Sequence, residues 1–353
     1  MLRRPAGWLA DRDPLPTAVR AVVGYYARTG VFDPRSLPLK RRVDAVVEEM
    51  VEVAFEKVEA AIAEQLDCGP VELSYDTKLL LPAKLTLGYL YRREDERRDR
   101  AEALTALVVA ALLDGDMRDA IADEEYGDFE LSAPDGAEQT GVEISEADRR
   151  RAAETAQATL QSRVERGLEE YPEGVREAYE RTVAISERHQ RADPRFRALM
   201  IAATDGTTEA EQEVQIAAPK GADSLPDAAV DSPEHARERI AGEYRHGVFE
   251  DPPELFGAEH RELPYFKTQY NRVGVIYRGM IEMYRAAGFA IDDSFQRSIV
   301  LAIVGAQIWL DDVDDYRADA AAGQLTPVTA EYLLTDEPAA AKRRVRAIGE
   351  TYL

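Results

Sequence analysis

The sequence predicts an all-α protein, a single large helical bundle spanning residues 1–353. Two observations carry that expectation. Apolar residues recur at helical spacing along most of the chain, and no run shows the alternation of a strand. Two stretches, ALTALVVAALL (103–113) and SIVLAIVGAQIWL (298–310), are apolar on every side. Such a helix belongs in the middle of a bundle or in a membrane. Neither reaches the roughly 18–20 apolar residues of a membrane span, so both are expected as central helices of a protein that is not integral to a membrane. Each runs directly into carboxylates, DGDMRDAIADEE after the first and DDVDDYRAD after the second.

Taken in order, a first helix is expected over 15–28, stopped by Gly30 and Pro34. A long one over 41–67 carries Val43, Val46, Val47, Met50, Val51, Val53 and Ala54 on a broad apolar face. A third opens near Lys78, and the first all-apolar helix follows at 99–122. Residues 123–145 are acidic and rich in Gly, Ser and Pro, the composition of a loop. Charged helical sequence then runs to 192. From 204 to 234 the chain is small, acidic and weakly periodic, so 204–260 is read as a loop or insertion. Helical signal returns near 267. Asp292, Asp293 and Ser294 offer N-caps for the second apolar helix, expected over 294–320. A last helix covers 337–353.

Charge limits the partners. There are 67 acidic residues against 44 basic ones, a net of −23. Such a surface repels nucleic acid and anionic membranes, and neither is expected as a partner. Only seven of the basic residues are lysine. Abundant acid with little lysine is similar to the composition of haloarchaeal proteins, so much of the charge reads as adaptation to salt. One cysteine, Cys68, leaves no internal disulfide and no cysteine-based zinc site. The N-terminus MLRRPAGWLADRD lacks the apolar core of a signal peptide, and a cytoplasmic location is expected.

The second acidic cluster holds the clearest chemistry. Asp311, Asp315 and Asp319 stand at i, i+4 and i+8, on one face of a helix, with Gln307 before them. Asp312 and Asp314 flank that face. Like charges at this spacing destabilise a helix. Magnesium held by a few carboxylates and a substrate phosphate converts the repulsion into affinity. A solvated acidic helix end is the alternative; the apolar helix directly before it argues for the metal. In the first cluster Gly115 interrupts the run, leaving Asp114 on one side and Asp116, Asp119 and Asp123 on the other. Glu243 and His246 form an ExxH, but a di-iron bundle needs a second one and none is found.

The stretch 305–328 resembles the second aspartate-rich motif of trans-polyprenyl diphosphate synthases and class I terpenoid synthases. Gln307, Asp311, Asp312, Asp315, Asp319, Gly323, Thr326 and Pro327 follow in the family's order, and Lys267-Thr268 lies upstream like the family's Lys-Thr pair. There are departures. Gln324 stands where the family has lysine, and the Gln-to-Asp spacing is one residue longer. KLLLP (78–82) lacks the arginines of the family's basic motif, and Gly115 falls where its first aspartate should be.

The resemblance implies a bundle with two acidic helix ends facing across a cavity. Magnesium, or manganese, would be held by Asp311, Asp312, Asp315 and Asp319 on one side and by Asp116 and Asp119 on the other. A prenyl diphosphate substrate would meet Lys267, Thr268, Gln307, Arg272, Arg317 and Lys78, with Asp311, Asp315 and Lys267 carrying the catalysis. The missing arginines favour ionisation of one allylic diphosphate, followed by cyclisation or prenyl transfer, over chain elongation with a second diphosphate. A degenerate lipid-binding relative is the alternative to an enzyme, and a homodimer is a candidate assembly.

Overall fold

The computed structural model describes residues 36–75, 80–122, 129–132, 145–190, 193–204, 232–335 and 337–352. Helices carry most of them. The first, α1 (Ser36–Leu66), buries Val43, Val47, Ala54, Phe55, Val58 and Ile62 along one side. It packs on α3 (Arg98–Ala122) and α4 (Glu146–Leu168), with α2 (Leu81–Arg93) beside them. The apolar α3 is central: Leu104, Val108, Val109, Ala110, Leu113 and Met117 are all buried. Ser145 starts α4 by accepting from the Asp148 N–H, and small residues (Ala152, Ala153, Ala156) let it sit close to its neighbours.

The second half winds around α10 (Val275–Ala286). It crosses α5 (Glu173–Gln190) closely and touches α11 (Asp293–Ala302). Two sets of contacts give the directions. Thr105 and Tyr284 share a buried 2.7 Å hydrogen bond, while Gly115 and Arg118 line one cleft with Ile276, so α3 runs antiparallel to α10. Gln296 reaches Glu282 at 2.8 Å, while Val300 and Val304 lie against Gly274, so α11 is antiparallel to α10 as well. Both apolar helices therefore start at one end of the bundle and finish at the other. Their acidic ends emerge on the same side.

Three π turns shape that side. Ile240–Arg245 continues α7 (Pro233–Arg239). Tyr270–Gly274 joins α9 (Phe266–Gln269) to α10. Ile303–Gln307 joins α11 to α12 (Ile308–Asp314). Beyond it lie α13 (Tyr316–Ala322), α14 (Pro327–Leu333) and α15 (Pro338–Tyr352). The short α6 (Asp193–Thr204) packs on α7, and α8 (Ala258–Arg261) leads into α9.

Several expectations are corrected. The second apolar helix is not continuous over 294–320: a π turn interrupts it, and it bends at Asp315. Four aspartates within five residues repel one another and are poor helix formers, which places the break there. The block 204–260 is not an insertion throughout: 233–245 is helical, with Ala236, Ile240 and Tyr244 buried. Ser232 caps it and Pro233 opens it. A two-stranded antiparallel ribbon pairs β1 (Glu72–Tyr75) with β2 (Phe129–Ser132), inside the stretch 123–145 read as loop. Strands of four residues are too short for their alternation to stand out. The helix expected over 15–28, Lys78 and residues 205–231 lie outside the described residues. Among the described residues no helix is long and apolar enough to cross a membrane.

Candidate acidic site and an adjoining cleft

Asp315 is exposed at the bend between α12 and α13, and its backbone carbonyl accepts from the Asp319 N–H at 3.0 Å. The Asp319 side chain is partly buried. Burial pushes its carboxyl up to about 6, the Asp315 carboxylate pushes in the same direction, and Arg272 opposes both. Two of the residues expected at the site, Asp315 and Arg272, thus lie close enough to Asp319 to act on its charge. Asp312 is buried at 8% exposure, whereas Asp314 and Arg317 face solvent. Gln307 and Asp311 lie in helical backbone, but their side chains lie outside the described set.

The rest of the motif tail is used in folding. Gly323 adopts φ +68° and ends α13. Thr326 caps α14, accepting from the Thr329 N–H, with Pro327 at the first turn.

The Lys-Thr pair is divided in the same way. Thr268 Oγ1 donates to the Tyr244 carbonyl at 2.7 Å, a bond that ties α9 to the π turn after α7. The Lys267 side chain is partly buried and makes no hydrogen bond or ion pair among the described residues. Just before it, Tyr265 holds φ +64° while fully buried, a left-handed conformation that a bulky residue rarely adopts. Its hydroxyl donates to Glu331 Oε1 at 2.7 Å, and the fully buried Glu331 also pairs with Arg245 at 3.0 Å. Burial, then the Glu331 carboxylate, hold the Tyr265 phenol well above its usual value. This Tyr–Glu–Arg set fixes the turn that presents Lys267. Sequence reasoning missed it, since its members are 66 residues apart from Tyr265 to Glu331 and carry no local signal.

The first cluster is different. Asp114 is fully buried and ion-paired with Arg118 one turn on. It also accepts from Gln157 Nε2 at 2.9 Å and from the Tyr179 hydroxyl at 3.4 Å. Every one of those partners is a donor, so this carboxylate is satisfied by protein. Asp116 is partly buried and Asp119 exposed. No protein-family model matches the chain, and no curated protein or solved structure matches it.

For a metal, Asp315 and Asp319 supply hard oxygen donors in repulsive proximity, a set that suits magnesium. Asp114 does not fit that use. Among the described residues no group of three or more potential ligands gathers, a set that omits the Asp311 side chain.

Beside Asp114 opens a narrow cleft of about 70 Å³ between α3, α5 and α10. Val108, Ala111, Leu112, Val183, Ile276, Met280 and Met283 wall it, and Arg118, Ser186 and Glu187 stand among its polar groups.

The raised Asp319 carboxyl has a measurable consequence. The folded state keeps its proton to about pH 6, whereas the unfolded chain releases it near 3.8. Stability is therefore unaffected by this group below that lower value, falls as pH rises between the two, and stays reduced above. Allowing for partial solvent screening, Asp319→Asn should stabilise the protein by on the order of 1 kcal/mol at pH 7.5 and by nothing measurable at pH 3.5. Denaturant unfolding at the two pH values checks this; an equal effect at both would contradict the assignment.

Proposed function

We propose that the protein is a divergent class I isoprenoid synthase that ionises a single allylic prenyl diphosphate. The observation that carries this reading is the shared direction of the two apolar helices, which delivers both acidic ends to the side of the bundle where Asp315 and Arg272 act on Asp319. Asp315 and Asp319, with Asp311 and Asp312 of the same motif, would hold magnesium, and the metal supplies neutralisation of the leaving diphosphate when bound. Lys267, presented by the turn at Tyr265, and Arg272 add positive charge where negative charge develops as the carbon–oxygen bond breaks. The allylic cation left behind is quenched in the apolar interior, by cyclisation or by attack of an acceptor.

The experiment is release of diphosphate from C10, C15 and C20 allylic diphosphates, with magnesium and with chelator. Magnesium-dependent release is expected, and Asp315→Asn, at an exposed bend, should reduce it by about 100-fold, the scale of removing one group that stabilises transition-state charge. Adding isopentenyl diphosphate should give no longer chain. Longer products would establish elongation instead. The buried, fully partnered Asp114 favours one further reading, a protein that keeps the fold to bind prenyl lipids without ionising them. Binding of the diphosphates with no release under any condition would select it.

A further inference from the structure

We infer that the protein holds an internal water molecule between Gln269 and Trp309, and that this water ties the segment carrying Lys267 to the helix carrying the acidic motif. Gln269 is fully buried on α9, yet neither its Oε1 nor its Nε2 has a hydrogen-bond partner among the described residues. Trp309 of α12 is 4% exposed, and its Nε1 has none either. Glu331 of α14 is fully buried; Tyr265 and Arg245 both approach its Oε1, which leaves Oε2 without a partner. All three residues adjoin Tyr265. Gln269 donates its backbone N–H to the Tyr265 carbonyl at 2.9 Å, the Trp309 and Tyr265 ring centroids lie 5.9 Å apart, and Glu331 accepts from the Tyr265 hydroxyl at 2.7 Å.

Burying a polar group without a partner is costly, so nearly all such groups in proteins meet another polar atom or an ordered water. The chemistry of this set identifies the occupant. Trp309 Nε1 and the Gln269 NH2 only donate, while Gln269 Oε1 and Glu331 Oε2 only accept. A metal ion would satisfy the oxygens and face N–H groups; an anion would do the reverse beside a carboxylate. Glu331 is already paired with Arg245, so no charge calls for a counter-ion. A hydroxyl serves both halves. Gln269 and Glu331 expose nothing to solvent, so the hydroxyl is that of water. It accepts from Trp309 and donates to Gln269 Oε1 and Glu331 Oε2, about three bonds being usual for a buried water. Trp309 lies two residues before Asp311, and Gln269 two after Lys267. The water is thus a joint between the left-handed turn at Tyr265 and the start of the acidic helix, whether or not a substrate is turned over.

The test needs no activity and uses the full chain, so its failure and that of the diphosphate reading are separate events. Magnetic relaxation dispersion of water oxygen counts long-lived internal waters, and urea unfolding gives a midpoint. Gln269→Met keeps the length of the side chain and removes both of its polar ends. The variant should lose at least one long-lived water and unfold at a lower urea midpoint, because the water's other partners are left unpaired. A dry, unpaired amide predicts the reverse, since methionine would then relieve a buried penalty. An unchanged water count, or a midpoint equal to or above that of the parent, would overturn the inference. Were the variant unfolded, a crystal structure of the parent decides. A water within about 3.2 Å of both the Gln269 amide and Trp309 Nε1 supports the joint; a direct protein partner, an ion or no density between them overturns it.

Discussion

Asp114→Ala should cost about 3–5 kcal/mol of folding stability, the scale for removing one partner of a buried ion pair. The carboxylate is fully buried and answers three donors from three helices: Arg118 of α3, Gln157 of α4 and Tyr179 of α5. Truncation leaves the partly buried Arg118 without its closest counter-charge and leaves the Gln157 and Tyr179 donors facing a cavity. Asp114→Asn should lose less, because the amide oxygen still accepts, but its NH2 then points at a donor. Chemical denaturation in a fixed salt concentration measures both. A loss below about 1 kcal/mol for the alanine variant would mean that water replaces the carboxylate with ease, contrary to the usual behaviour of such sites.

Gly279→Ala should cost about 2–3 kcal/mol, because the crossing of α10 over α5 has no room for a methyl. A Cβ at Gly279 would fall 1.7 Å from Thr182 Oγ1 and 2.7 Å from Thr182 Cβ and Cγ2. Thr182 cannot turn aside cheaply. It is β-branched, which restricts χ1, and its hydroxyl donates to the Ala178 carbonyl at 2.7 Å. Thr182→Ala removes two of the three obstructing atoms, so the double variant should recover at least about 1 kcal/mol of the loss in a mutant cycle. Strict additivity of the two substitutions would show that the helices slide apart instead of clashing.

Helix positions were legible where a long periodic face announced them. The apolar α3 was expected at 99–122 and spans Arg98–Ala122; α15 was expected at 337–353 and spans Pro338–Tyr352. The π turns were not, because a change in backbone hydrogen-bond register leaves the hydrophobic pattern nearly intact. One hint existed: the Gln-to-Asp spacing in 307–311 is a residue longer than in the resembled motif, and a π turn that takes up an extra residue lies at Ile303–Gln307. The bend at Asp315 could have been weighed from the cost of clustered aspartates. In the first acidic cluster the sequence did hold the answer in part, since Arg118 stands at i+4 from Asp114, the spacing of a helical ion pair. Gln157 and Tyr179 arrive from other helices, and nothing local pointed to them. The same limit hid Glu331 and Arg245, which meet Tyr265 only through the tertiary fold.

The parallel run of α3 and of the α11–α12 segment carries a further electrostatic consequence. Each helix C-terminus presents unpaired carbonyls worth about half a negative charge, independent of any side chain. At the opposite end of the bundle, where α10 finishes, Arg100 donates to the Ala287 carbonyl at 2.6 Å and Arg97 to the Gly288 carbonyl at 2.9 Å, so that terminus is compensated. At the ends of α3 and α12 the last turns hold no basic residue, and aspartates stand nearby instead. The backbone macrodipoles and the carboxylates add with the same sign there. Neutralising individual aspartates would thin the field at that end without abolishing it, and mobile cations would still collect around the two helix termini.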